Sequence, residues 1–123
     1  MKIILSPLNH TWILDLDGSF VKHNGYKIDG RDSWLVGAKD FLKNIPETDL
    51  IIFITSRTIE YKNITEEFLS EEGINYAHII YEAPFGERIL INDSKPSGLK
   101  TALAITVQRD WDVDFDIEFN NDL

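Results

Sequence analysis

The sequence contains no cysteine, so neither a disulfide framework nor a thiolate zinc site can be built from it. No apolar run approaches the roughly 20 residues that cross a bilayer, and a membrane-spanning role is not expected. Met1-Lys2-Ile3-Ile4-Leu5 is too short an apolar stretch for a signal peptide, and no small-residue cleavage site follows it. A cytoplasmic location is therefore expected. Positive charge is scarce: 12 Lys and Arg face 21 Asp and Glu, for a formal net charge of -9. That balance argues against broad binding to nucleic-acid backbones, which needs basic patches. It leaves room for a small anionic substrate, because a cation and a few backbone amides override the global sign locally. There is no internal repeat and no Ser/Pro-rich linker. A chain of 123 residues with 43% hydrophobic content reads as one globular domain, residues 1–123.

What is present is an alternation of short apolar runs and amphipathic stretches. Trp12-Ile13-Leu14 ends in acids and Gly18; its apolar continuity suits a strand buried on both faces, as in a parallel sheet. Asn24-Gly25 between mildly β-prone flanks predicts a hairpin, a flap over about residues 19–32. Asp32 or Ser33 can cap a helix with Leu35, Ala38, Leu42 and Ile45 at helical spacing, ended by Pro46. Leu50–Ile54 predicts a second apolar strand, closing on Thr55-Ser56-Arg57. Thr58 then opens a helix with Tyr61, Ile64 and Phe68 on one face, and Gly73 stops it. His78–Tyr81, Arg88–Ile91 and Thr101–Val107 predict further strands. From Trp111 to Phe119 apolar and acidic residues alternate without a break, which predicts a strand with one buried and one acidic face. That strand extends the domain's own sheet or pairs with another chain. The pattern as a whole predicts an α/β fold, a three-layer Rossmann-like domain with a mainly parallel sheet.

Ligands in such sheets bind at the carboxyl ends of the strands, and the chemistry-bearing residues lie there. Asp15 and Asp17 follow one predicted strand, Thr55 and Ser56 a second, Asp93 another. Two carboxylates spaced Asp-x-Asp converge on one cation if the chain turns at once, and Gly18 permits the turn. A hard divalent ion such as Mg²⁺ takes oxygen ligands of this kind. Thr55 and Ser56 offer hydroxyls just before a helix amino terminus, which favours anions. Each piece has a plainer meaning alone: a solvated turn for Asp15-Leu16-Asp17-Gly18, a helix cap for Thr55-Ser56, a turn residue for Asp93. Their joint placement after three apolar strands points to a phosphoryl pocket.

Asp15-Leu16-Asp17-Gly18-Ser19, Thr55 after an apolar strand and Asn92-Asp93 after another resemble motifs one, two and four of the haloacid dehalogenase superfamily. The resemblance spans residues 12 to about 107. Residues 86–98 are similar to small capless members found among bacterial capsule and lipopolysaccharide biosynthesis proteins. The resemblance implies an aspartyl-phosphate phosphatase. Asp15 would be the nucleophile and Asp17 the acid that protonates the leaving oxygen and then activates water. Thr55 would hold a phosphoryl oxygen. Mg²⁺ would be held by the carboxylates of Asp15 and Asp93 and the backbone carbonyl of Asp17.

The third motif, a cation that pairs with nucleophile and phosphate, departs from the family. Where related short members place a Lys before a Pro, this chain has Ala83-Pro84. Arg88 opens a predicted strand, which puts it about 13–17 Å from the catalytic end at the usual rise per residue. Lys95, two residues past Asp93, is the expected cation if it reaches back, and a surface lysine if it does not.

No segment is long enough for a cap domain. The open site expected here suits a bulky substrate or a pocket completed by a second subunit, with His23, Asn24 and Tyr26 as specificity candidates. The leading expectation is a Mg²⁺-dependent phosphatase of a small phosphorylated metabolite, with a sugar phosphate of surface-polysaccharide synthesis favoured. The alternative is a catalytically weak phosphate-binding or assembly module that lacks the third-motif cation. A response-regulator receiver fits less well, because the order of its strand-end acid, Thr and Lys differs.

Overall fold

The computed structural model describes every residue, Met1–Leu123. Five strands and three helices follow in the order β1 (Lys2–Leu5), β2 (Thr11–Leu14), α1 (Gly25–Ile28), α2 (Ala38–Lys43), β3 (Leu50–Ile54), α3 (Lys62–Glu71), β4 (His78–Ile80) and β5 (Asp116–Phe119). A short 3-10 turn, Ile59–Tyr61, leads into α3. All pairings are parallel, in two small sheets: β2-β3-β4 and β1-β5. The fold is thus mixed α/β.

The three apolar runs that form the larger sheet have the register Thr11↔Leu50 to Leu14↔Phe53 and Ile52↔His78 to Ile54↔Ile80. Parallel neighbours need crossovers. Residues 15–49, carrying α1 and α2, make the first; α3 makes the second. The core gathers between them: Leu16, Phe20, Val21, Ala38, Leu42, Ile51, Phe53, Leu69 and Ile74. Phe53 and Leu69 are fully buried, and side chains of that size stabilise the fold by about 1.5–3 kcal/mol each. Trp12 and Phe20 pack on Phe41, with ring centroids 5.8 and 6.0 Å away. Asp49, at the foot of β3, accepts from the Trp12 indole at 2.9 Å and the His10 backbone N–H at 3.0 Å.

The carboxyl-terminal tail joins this chain's own β1, from Lys2↔Asp116 to Leu5↔Phe119. The period-two expectation holds in its middle, where Val113, Phe115 and Ile117 are half-buried while Asp112, Asp114, Asp116 and Glu118 are exposed, and fails at its ends, where Trp111 and Phe119 are exposed. Only Asp116–Phe119 is strand, however. Before it, Val113 donates its N–H to the Val36 carbonyl at 2.8 Å and Phe115 sets its ring 5.3 Å from Phe41. Gly37 makes this approach possible. Its φ is +82°, and a Cβ there would collide with the Val113 carbonyl oxygen.

Four expectations are corrected. The flap closes at its base as an antiparallel pair, Val21 opposite Trp34 with Lys22 N–H donating to Ser33 O at 3.0 Å, but its tip is no hairpin turn: Asn24 takes φ 56° and leads into the short helix α1. Asn adopts that backbone region in either setting, and the choice is made by Tyr26, which is buried with its ring 4.8 Å from Tyr61. The helix expected from Asp32 begins only at Ala38, because Asp32 is buried in an ion pair and caps nothing. Arg88–Ile91 is not a strand; Ile89 and Ile91 are 82% and 90% exposed. Thr101–Val107 is not a strand either. No helix is long and apolar enough to cross a membrane.

Candidate functional site

The end of β2 and the end of β3 lie side by side, so residues 15–18 and 55–57 are neighbours across the sheet. After Leu14 the chain turns at once. The N–H groups of Ser19, Phe20 and Val21 all point at the Leu16 carbonyl, and Gly18, at φ +80°, donates to the Val21 carbonyl at 2.7 Å. This turn aims Asp15 and Asp17 off the same strand end while Leu16 between them stays in the core.

Asp15 is about one-third exposed, and each of its oxygens is engaged. The Ser19 hydroxyl donates to Oδ2 at 2.9 Å, and Arg88 Nη1 donates to Oδ1 at 3.0 Å. The cation on Asp15 is therefore Arg88 and not Lys95. The physical reason is the missing strand: with residues 88–91 irregular, Arg88 is no longer a strand's length away from the sheet end that carries Asp15. The contact holds Arg88 over the end of β2, where it is 38% exposed.

Asp17 is gripped by Arg57. Nε donates to Oδ2 at 2.9 Å and Nη2 to Oδ1 at 3.0 Å. The same guanidinium reaches Asp32 through Nη1 at 3.0 Å and Nη2 at 2.7 Å, and the Thr65 hydroxyl through Nη1 at 2.8 Å. Its face lies on the Tyr26 ring, 3.9 Å from the centroid. Burial alone would depress the Arg57 pKa, but the hydrogen bonds to Asp32 and then Asp17 outweigh it and hold the group above its ordinary value. Burial, with Asp17 nearby, raises Tyr26, so that its phenol stays neutral.

Thr55 is buried, 1% exposed. Its Oγ1 accepts the Arg57 backbone N–H at 3.1 Å, and its carbonyl accepts the Ala83 N–H at 3.1 Å. The hydroxyl thus shapes the turn that launches Arg57. Ser56, next to it, is half-buried.

Asp93 and Lys95, on the exposed stretch after Arg88, make no hydrogen bond or ion pair with this group. The Asp93 carbonyl accepts from the Thr101 hydroxyl, and Lys95 opens a turn in which its N–H donates to Leu99 O at 2.8 Å. No three His, Cys, Asp or Glu side chains converge where one cation would be shared. A Mg²⁺ held as expected, by the Asp15 and Asp93 carboxylates and the Asp17 backbone carbonyl, would compete with Ser19 and Arg88 for Asp15, while the Arg57 contacts engage only the Asp17 carboxylate. Asp15 has its oxygens on Ser19 and Arg88, and Asp17 has both on Arg57.

Sequence reasoning missed Arg57 and Asp32 as parts of the site, and placed Tyr26 there as a specificity candidate, not as the seat of Arg57. A signal was present: an arginine placed directly after an apolar strand and a Thr-Ser pair has no water to turn to and needs buried carboxylates. A groove of about 630 Å³ lies elsewhere. It runs between α3 and β4, lined by Glu66, His78, Tyr81 and Glu82 among others, and none of the candidate site residues faces it.

What the arrangement offers chemically is a solvent-reachable carboxylate with a guanidinium on it, beside a second carboxylate locked in place, at the carboxyl end of a parallel sheet. Among known proteins no family model, curated protein or solved structure matches the chain.

Proposed function

We propose that this chain is a phosphohydrolase of small phosphorylated metabolites, with Asp15 as nucleophile. The observation that carries the reading is the pairing of partly exposed Asp15 with Arg88 at the end of β2. A carboxylate that attacks phosphorus needs a cation beside it to offset repulsion between two anions, and Arg88 supplies that charge without the Lys of the related motif. In the first step an Asp15 oxygen bonds to phosphorus, the ester P–O bond breaks, and Asp17 delivers a proton to the leaving oxygen. In the second, water attacks phosphorus and gives a proton to Asp17 while the P–O bond to Asp15 breaks, which releases phosphate and restores both carboxyl groups to their starting states. Ser19 orients Asp15, and Thr55 and Ser56 line the end of β3 beside the transferring group.

On this reading the two parallel sheets belong to a three-layer, Rossmann-like domain of the haloacid dehalogenase type, without a cap. The enzyme is cytoplasmic, and a sugar phosphate of surface-polysaccharide synthesis is the favoured substrate. Mg²⁺ is its expected cofactor and would be held by the carboxylates of Asp15 and Asp93 and the Asp17 backbone carbonyl, where it would offset charge on the transferring phosphoryl group. The open face over Asp15 suits a bulky substrate or completion by a second copy.

Purified protein is expected to release phosphate from a generic aryl phosphate, and Asp15→Asn to abolish it. Undiminished activity in that variant would remove the nucleophile assignment.

A second reading, a phosphate-binding or assembly module with weak turnover, is favoured by one observation: every oxygen of Asp15 and Asp17 already has a partner within the chain. It predicts phosphate binding by calorimetry without hydrolysis across a metabolite panel.

A further inference from the structure

Of the four arginines, Arg57 alone is buried, and it spends all five of its N–H donors on side chains from other elements. We propose that Arg57 is a positioning residue for the reaction. Anchored by Asp32 and seated on Tyr26, it fixes the Asp17 carboxylate in the one orientation from which Asp17 exchanges protons at the site. This inference rests on the phosphohydrolase reading.

The accessibilities around Arg57 form a gradient. The Arg57 and Asp32 side chains are 1% and 2% exposed, whereas Asp17 is 16% exposed. The sealed end is the anchor, and the end that meets solvent is the end that works. Charge gives the second argument. Arg57 with Asp32 alone would be a neutral buried pair with bidentate geometry, which is all that stability asks of it. Adding Asp17 leaves the trio with an excess negative charge, which stability does not require.

Position gives the third argument. Asp32 and Tyr26 come from the crossover between β2 and α2, Thr65 comes from α3, and Arg57 comes from the end of β3. The guanidinium therefore ties the crossover and α3 to the strand end that carries the candidate nucleophile. Thr65 completes the seat: its hydroxyl accepts from Arg57 and donates a hydrogen bond to the Tyr61 carbonyl at 2.7 Å. A planar, fork-shaped group held by contacts on every edge and one face transmits that rigidity to Asp17. Lysine, a point charge on a flexible stem, does not.

The test uses Asp32→Asn, which keeps the shape of the anchor, and Arg57→Lys, which keeps the charge and loses the fork. Each is expected to lower kcat for an aryl phosphate by about 100-fold, the scale of an ångström's misplacement, with KM within about threefold of wild type. The assay runs well below the melting temperature of each variant. In parallel, side-chain couplings by NMR report the χ1 of Asp17: one rotamer in wild type, averaged rotamers in both variants. Should Arg57→Lys fail to fold, Asp32→Asn and Tyr26→Leu carry the measurement.

Unchanged kcat in folded variants of an active enzyme overturns the proposal and leaves the phosphohydrolase reading standing. Averaged Asp17 rotamers in wild type overturn it as well. A wild type that hydrolyses nothing sinks the phosphohydrolase reading instead, and the Asp17 couplings still decide whether Arg57 positions that carboxylate.

Discussion

Replacing Arg88 by alanine separates rate from stability. The Arg88–Asp15 pair spans 3.0 Å, but its side chains are 38% and 34% exposed. Exposed pairs of this kind contribute about 0–1 kcal/mol, because water screens the charges and two long side chains lose freedom. The fold should therefore lose less than about 1 kcal/mol in a urea titration. Charge building on a transferring phosphoryl group is another matter. A donor aimed at that charge is worth about 10²–10³ in rate, so kcat for an aryl phosphate should fall by that factor in Arg88→Ala. Lys95→Ala, which alters a turn that makes no ion pair with Asp15, should change kcat by less than threefold or so under the same assay. Removing Arg57 gives the opposite profile in stability: its partner Asp32 is 2% exposed, and stripping one member from a buried pair costs about 3–5 kcal/mol. A loss of stability in Arg88→Ala matching that of an Arg57 variant would refute the reasoning, as would an undiminished kcat.

Gly37→Ala should destabilise the fold by about 1–3 kcal/mol from its left-handed backbone alone, with the collision against Val113 added; an unchanged urea midpoint would mean the tail does not sit on that turn. Stability should also fall on the alkaline side. Burial first, and Asp17 or Glu66 second, raise Tyr26, Tyr76 and Tyr81 above the ordinary value of 10.0. The unfolded chain ionises first, so stability is whole below pH 10.0 and is lost as pH climbs through the higher folded values. A urea midpoint that stays level from neutral pH to well above 10 would contradict those three environments, and Tyr81→Phe should flatten the decline.

The parts of the fold legible in the sequence are those decided locally. Trp12-Ile13-Leu14, Leu50–Ile54 and His78–Ile80 are apolar runs with turn signals at their ends, and they became β2, β3 and β4. The alternation from Asp112 to Glu118 showed which side chains face inward. The illegible parts depend on partners distant in sequence. Arg88–Ile91 has the composition of a strand, yet a strand forms only beside an edge, and Arg88 is held on Asp15, 73 positions away. Asn24-Gly25 fits a hairpin or a helix start equally, and the outcome turns on Tyr26 meeting Tyr61 and Arg57. Asp32 looks like a helix cap until Arg57, 25 positions later, claims both its oxygens. Asp15 and Asp17 are placed together at a strand end as the spacing implied, and Thr55 stands at the neighbouring strand end; the charges that answer them come from residues that no local pattern identifies.

Those charges give a test of whether the proposed chemistry draws on a divalent cation, although no three acids converge at the site. Asp15, Asp17 and Asp32 face only Arg57 and Arg88, which leaves the cluster with one uncompensated negative charge. A phosphate ester at neutral pH brings about −1.5 to −2 more, and the chain around it carries a formal net charge of -9. Two guanidinium groups are too few to hold such an anion against that field. A divalent ion arriving with the phosphate lowers the excess by two charges, so each ligand should tighten the other, by the same factor in both directions. Calorimetry with inorganic phosphate should show affinity rising about 10-fold or more when Mg²⁺ is present, within the usual range of such coupling. Magnesium titrated into phosphate-saturated protein should show the matching gain over protein alone. Phosphate that binds as tightly in a chelator as in magnesium would mean that the two arginines suffice, and the charge argument for a metal would fall.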